Sequence, residues 1–115
     1  MKIRKRETNS GATILELEGM LVMGHESEGV EATVEKIVKE GNKKVIIDLA
    51  KVSYVDSSGV GILVGSLGHC KRGGGEMRMA GVQDHILRIL QITRVDQVIP
   101  VDGSIEEAEK KLGGA

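Results

Sequence analysis

The sequence predicts an α/β domain: a mixed β-sheet with helices packed mainly on one side. Three patterns carry that expectation. Apolar residues alternate over 12–19 as in a half-buried strand, and run unbroken through Val45-Ile46-Ile47 as in a central strand covered on both faces. They recur at helical spacing over 26–40 and 57–72, so strands and helices take turns along the chain. A length of 115 residues leaves room for one domain, 1–115, around one core.

The elements follow in order. Residues 2–8 and 12–19 form a hairpin whose turn is Asn9-Ser10-Gly11. In its second strand Thr13, Leu15 and Leu17 share one face, Glu16 and Glu18 take the other, and Gly19 closes the strand. Over 26–40 Val30, Val34, Ile37 and Val38 make an apolar helical stripe, with Lys39 in the last turn and Gly41 just past it. Residues 57–72 contain Gly59, Gly61, Gly65 and Gly68, each lowering helix propensity by about 1 kcal/mol relative to Ala. Val60, Leu63, Val64 and Leu67 nevertheless keep the i, i+3, i+4, i+7 spacing, so the segment is expected to be helical. The glycines are then explained by close approach of that helix to the sheet.

Gly73-Gly74-Gly75 turns into a strand over 76–80, where Met77 and Met79 alternate with Arg78. A short helix near 83–91 carries Ile86, Leu87 and Leu90. Residues 95–101 are expected as an edge strand, because Pro100 cannot donate to a central ladder. Ser104 and Glu107 form a capping box that opens a last helix on Ile105, Ala108 and Leu112, ending at Gly113-Gly114.

Composition narrows function. The net charge is −1 with both signs interspersed, so no strong field holds nucleic acid or an anionic membrane. The basic cluster Lys2, Arg4, Lys5, Arg6 fits a solvated edge strand. One Tyr with no Phe or Trp offers no platform for base stacking. A lone Cys70 cannot form an internal disulfide, which suits a reducing cytoplasm, and no apolar run resembles a membrane span or a signal peptide.

Enzyme motifs are missing. No Gly-x-Ser-x-Gly surrounds Ser57, and position 64 is valine where a dinucleotide fingerprint starting at Gly59 needs its third glycine. There is no P-loop lysine motif, and one Cys with scattered His25, His69 and His85 gives no metal spacing. The three histidines are expected at the surface and Cys70 half-buried on its helix. The chain is therefore expected to have no catalytic residues, no metal and no cofactor, and to act by binding another protein.

The junction Val52-Ser53-Tyr54-Val55-Asp56-Ser57-Ser58-Gly59 joins the central strand to the glycine-rich helix. Asp56 or Ser57 is the expected N-cap. A helix start presents unpaired N–H groups and partial positive charge, which suits a phosphate, at the carboxyl end of a strand where α/β sheets keep their sites. A plain cap accounts for the same residues.

The stretch from Val45 to Gly61, with Ile47-Asp48-Leu49 and then Val55-Asp56-Ser57-Ser58-Gly59-Val60-Gly61, resembles the STAS family of anti-sigma factor antagonists. Gly73-Gly74-Gly75-Glu76, the Ile86-Leu87-…-Leu90 helix and the opening hairpin extend the resemblance over nearly the whole chain. It implies phosphorylation at Ser57, with Ser58 in the first turn and Asp56 orienting the loop. It also implies an anti-sigma factor with serine kinase activity as partner, and a serine phosphatase as a second one. Where the family usually reads Glu-Leu-Asp after the second strand, this chain has Met20-Leu21-Val22, so Val22 stands in the acid's place. Met20, Leu21 and Met23 are unusually apolar for a surface loop and are expected, with Asp56, Ser58 and Gly59, to contact the partner. The alternative is a STAS subunit of a signalling scaffold or lipid-transport complex without a phospho-switch.

Overall fold

The computed structural model describes residues 1–113, and the side chains of all of these except His25, Glu26 and Glu28. Its elements are β1 (Lys2–Glu7), β2 (Thr13–Leu21), α1 (His25–Lys39), β3 (Lys44–Val55), α2 (Ser57–Arg72), β4 (Glu76–Ala80), α3 (Asp84–Ile92), β5 (Val101–Asp102) and α4 (Ile105–Lys111). The sheet order is β1-β2-β3-β4-β5, with β1 antiparallel to β2 and every later pair parallel. The expected mixed sheet is thus present.

The order explains the layering. From β2 onward each crossover steps the same way across the sheet, and right-handed crossovers in one direction leave their helices on one face. Accordingly Val30, Val34 and Ile37 of α1, Leu63 and Leu67 of α2, and Ile86 and Leu90 of α3 share one core with Leu15, Leu17, Val45, Ile47 and Leu49. Only α4 crosses to the other face, where Ala108 and Leu112 cover Ile14, Ile46 and Ala80. The helices lie mainly on one side, as expected. Because the strand order never reverses, the sheet has no topological switch point of the kind that opens a nucleotide crevice.

Several boundaries differ from expectation. β2 is buried on both faces at its start, since Ile14 packs under α4 while Leu15 packs under α1, and it runs through Gly19 to Leu21. Gly19 is accommodated at φ 117 beside irregular pairing with β3. β3 reaches Val55 and outruns β4, whose pairing ends at Asp48↔Ala80. The freed edge is filled by side chains: Gln83 Nε2 donates to the carbonyls of Ala50 (2.8 Å) and Val52 (3.0 Å), and His85 Nε2 donates to that of Ser53 (2.9 Å).

The 95–101 edge strand shrinks to Val101–Asp102, because Val95–Gln97 forms a 3-10 turn entered through Arg94 at φ 62. Pro100 still serves the sheet as an acceptor, from Met79 N–H at 2.8 Å. Ser104 Oγ accepts from Glu107 N–H at 3.1 Å, as the capping box requires, but the Glu107 carboxylate reaches back to Gly103 N–H instead of Ser104's. Gly114, the expected stop of the last helix, lies outside the described residues.

The far end of the sheet is fastened by charge. Arg78 on β4 grips the buried Asp102 with two bonds, Nε to Oδ2 at 2.6 Å and a guanidinium nitrogen to Oδ1 at 3.1 Å, while Lys111 of α4 lies 3.3 Å from Oδ1. Burial alone would raise the Asp102 pKa, but the bonds from Arg78 and Lys111 outweigh it and hold the carboxyl below its ordinary value. A depressed folded-state pKa adds stability above the unfolded value, and that stability is lost as pH falls through the folded one. Asp102→Ala should therefore cost about 3 kcal/mol at neutral pH by leaving Arg78 unpaired. Urea titrations below about pH 4 should show the gap between wild type and variant closing. A gap that persists unchanged into acid would refute the assignment.

Candidate functional site

β3 delivers the chain to its carboxyl end, and Asp56 turns it into α2. Asp56 is extended (φ −106, ψ −173), and its side chain accepts from Gly59 N–H at 2.9 Å, so Asp56 rather than Ser57 is the N-cap. Its own N–H points to the Leu21 carbonyl at 3.4 Å, joining the ends of β2 and β3. Ser57 is thus the first helical residue. It is exposed, Ser58 is half-buried, and among the described residues neither hydroxyl makes a hydrogen bond. With Gly59 N–H committed to Asp56, the N–H groups of Ser57 and Ser58 are the ones the helix start presents.

Gly59 is buried against the sheet. A Cβ there would lie 2.0 Å from the Leu21 carbonyl oxygen and 3.0 Å from Val55 Cγ1. The other glycines of α2 have different reasons, which corrects the expectation that all face the sheet. A Cβ at Gly65 would meet the Glu31 carboxylate of α1 at 2.1 Å, one at Gly68 would meet only Arg72 of its own helix, and one at Gly61 would meet nothing. The buried stripe is also rotated from the expected one. Gly59, Ile62, Leu63, Ser66, Leu67 and Cys70 face inward, Val60 is half-buried and Val64 is exposed. Gly61 therefore leaves the exposed face of α2 low near its start, while Gly65 lets α1 and its Glu31 approach.

The apolar loop divides sharply. Met20 is 55% and Met23 78% exposed, whereas Leu21 is fully buried. Leu21 and the buried Gly59 thus offer a partner no side-chain surface, which corrects their expected role as contacts. They set the position of the helix start instead. Because Leu21 and Val55 enter the core under the helices, the preceding Met20 and Tyr54 point to the opposite face, and their register places them side by side. Tyr54, 49% exposed, lies within the strand-to-helix junction, whose sequence shows no alternation to set its face; its being the sole aromatic is the available signal. Val22, in the place of the family acid, is half-buried and its N–H donates to the buried Ser27 Oγ at 3.3 Å.

The remaining reactive side chains are held in other roles, His85 through its bond to the Ser53 carbonyl. Cys70 is fully buried rather than half-buried, and burial, with Glu76 nearby, pushes its thiol pKa up. His69 sits between the helices, 3.0 Å from Glu35, and His85 is exposed. The side chain of His25 lies outside the described residues. A cleft of about 500 Å³ opens between α3 and β5, but it is distant from Ser57 in the sheet order, and the Asp102 in its wall is already bonded to Arg78. Among the described residues no cluster of His, Cys, Asp or Glu could hold a metal ion, and no helix is long and apolar enough to cross a membrane.

A mixed sheet with helices mainly on one side and an exposed serine on the first turn after its longest strand places the chain among small α/β domains of this topology. The STAS domain model matches residues 4–108, and the chain belongs to that family. It is 30% identical over 77 residues to the anti-sigma-B factor antagonist of Staphylococcus aureus, covering 67% of this chain and 71% of that protein. The solved anti-sigma factor antagonist from Mycobacterium paratuberculosis superposes with a TM-score of 0.83 at 16% identity, covering 97% and 93% of the two chains. The Bacillus cell fate determinant SpoIIAA, solved in its phosphorylated form, gives 0.69 at 18% identity over 96% and 98%. These two likenesses establish the fold.

Two glycines of one helix should respond oppositely to alanine. Gly61→Ala, in open space, should raise stability by about 1 kcal/mol. Gly59→Ala must push α2 off the Leu21 carbonyl and should cost roughly 1–3 kcal/mol. Urea denaturation of both variants tests this, and equal effects would show that α2 does not bear on β2 as described.

Proposed function

We propose that this chain is an anti-sigma factor antagonist, switched by phosphorylation of Ser57. Unmodified, it captures an anti-sigma factor that is also its serine kinase and so frees a sigma factor in the cytoplasm. The kinase transfers the terminal phosphoryl group of ATP to Ser57 Oγ, with loss of the hydroxyl proton and release of ADP, and the complex separates. A serine phosphatase would restore binding. The observation that carries the reading is the exposed Ser57 hydroxyl, free of partners among the described residues, on the first turn behind the Asp56 cap. Identity to an anti-sigma-B factor antagonist supports it.

The chemistry is that of a charge placed in an interface. Phosphorylation adds about −1.5 to −2 charge and three strong acceptors. Inside the domain the two free N–H groups and the helix dipole favour an anion by about 0.3–1 kcal/mol, so the fold should barely respond. At the partner surface the same charge must be desolvated or repelled, at a cost of about 2–5 kcal/mol, or roughly 30- to 4,000-fold in affinity. Met20, Met23 and Tyr54, exposed at and just past the ends of β2 and β3, would add apolar contact to a partner that covers this end of the sheet.

Incubation with the kinase and ATP, followed by site mapping, should place phosphate on Ser57. Phosphate on Ser58 alone, or none where a control antagonist is modified, would overturn the proposal. Ser57→Ala should bind constitutively and Ser57→Asp should fold normally but bind poorly, with Ser58→Ala milder than either. Affinity measured with the Met23→Lys variant tests the apolar surface: binding should weaken while the thermal midpoint stays unchanged. A pull-down dominated by membrane-transport or scaffold subunits, with no kinase, would favour the fixed-subunit alternative.

A further inference from the structure

β1 forms the open edge of the sheet. Its register with β2 runs from Lys2↔Glu18 to Glu7↔Thr13, and Thr8 N–H donates to the Ala12 carbonyl at 2.8 Å. In an antiparallel pair, hydrogen-bonded and non-hydrogen-bonded positions alternate. The Thr8–Ala12 bond therefore sets the phase: Lys2, Arg4 and Arg6 exchange bonds with β2, while Ile3, Lys5 and Glu7 turn their N–H and C=O groups to the outside. Beneath that edge, between β1 and α1, lies a groove of about 380 Å³ lined by Ile3, Lys5, Ala32, Thr33, Lys36 and Ile37. Its floor is apolar and its rim carries two lysines.

The other face of β1 is basic. Lys2, Arg4 and Arg6 are exposed there, on the side of the sheet that α4 leaves largely open. Their ion pairs are loose: Lys2 lies 3.8 Å from Glu18 and Arg4 lies 3.9 Å from Glu16, with both cations more than 60% exposed, and Glu16 has Lys51 closer at 3.2 Å. Such pairs exchange at little cost.

We propose that β1 is a strand-addition site for an extended segment of a protein partner whose side chains alternate apolar and acidic. The segment's backbone pairs with Ile3, Lys5 and Glu7. Its apolar side chains enter the groove over Ile3 and Ile37, and its acidic side chains meet Lys2, Arg4 and Arg6 on the opposite face. The same cations repel a second copy of this chain, because β1 laid against β1 would set basic residues against basic residues. This site is separate from Ser57 and does not depend on the phospho-switch.

The test uses the full chain and a capped peptide of alternating Val and Glu long enough to span β1, followed by NMR. The amides of Ile3, Lys5 and Glu7 should shift and gain protection from hydrogen exchange. Affinity should fall on the order of tenfold or more when the peptide is N-methylated at alternate residues, and when Lys replaces its Glu. Lys5→Pro should remove binding, since the Lys5 N–H serves no bond to β2; if that variant does not fold, the N-methylated peptide still decides the matter. Shifts confined to the start of α2, equal binding of the N-methylated peptide, or no binding would overturn the proposal. So would a concentration-dependent dimer paired through β1, or sedimentation with phosphatidylserine vesicles in the absence of any peptide response.

Discussion

The carbonyl of Leu21 is the point on which the functional end of this molecule rests. It receives the Asp56 N–H at 3.4 Å, and it occupies the space that any side chain at position 59 would need. One backbone oxygen thus ties the end of β2, the end of β3 and the first turn of α2 together. The placement of the α2 start against the end of β2, with Ser57 exposed on its first turn, follows from it. Because the tie is backbone to backbone, it constrains position 59 to glycine but leaves the exposed residues around it free in character. That separation lets a rigid frame carry a variable contact surface.

Legibility from sequence tracked how local each determinant was. The bounds of α2, 57–72, were legible because Asp-Ser-Ser and the triple glycine are local stop and start signals, and 76–80 was legible because Met-Arg-Met alternates. The phase of α2 was not. Val60, Leu63, Val64 and Leu67 make one good stripe, and Ile62, Leu63, Ser66, Leu67 and Cys70 make another; the glycine at 59 decides between them, because only that face can sit on Leu21. Likewise Gly19 looked like a strand end, since nothing local shows that β3 continues to Val55 and carries β2 along with it. Leu21 looked exposed because the alternation shifts at irregular pairing near 16–20, which single-strand periodicity cannot register.

The candidate site was legible as a motif and not as a surface. Asp56-Ser57-Ser58-Gly59 could be placed at a helix start by cap chemistry, and the structure puts it there. Which residues are exposed at that end of the sheet depended on the parity of β2 and β3. Parity left Met20 and Tyr54 exposed side by side on the face away from α2 and withdrew Leu21 into the core. The exposed face of α2, with Gly61 in open space and Val64 exposed, likewise emerged only with the helix phase.

The cap also shapes what a phosphate on Ser57 could do. A helix start offers its strongest attraction to an anion through the N–H groups of its first turn. Here the Asp56 carboxylate has already taken Gly59 N–H, and it places a negative charge one residue from Ser57. A phosphate would therefore share the remaining N–H groups against the repulsion of its neighbour, and would be held outward instead of folding back onto the helix. Outward is where a partner would meet it. A serine cap would have taken the same N–H without adding charge, so the aspartate at 56 both starts the helix and sets a negative charge beside position 57.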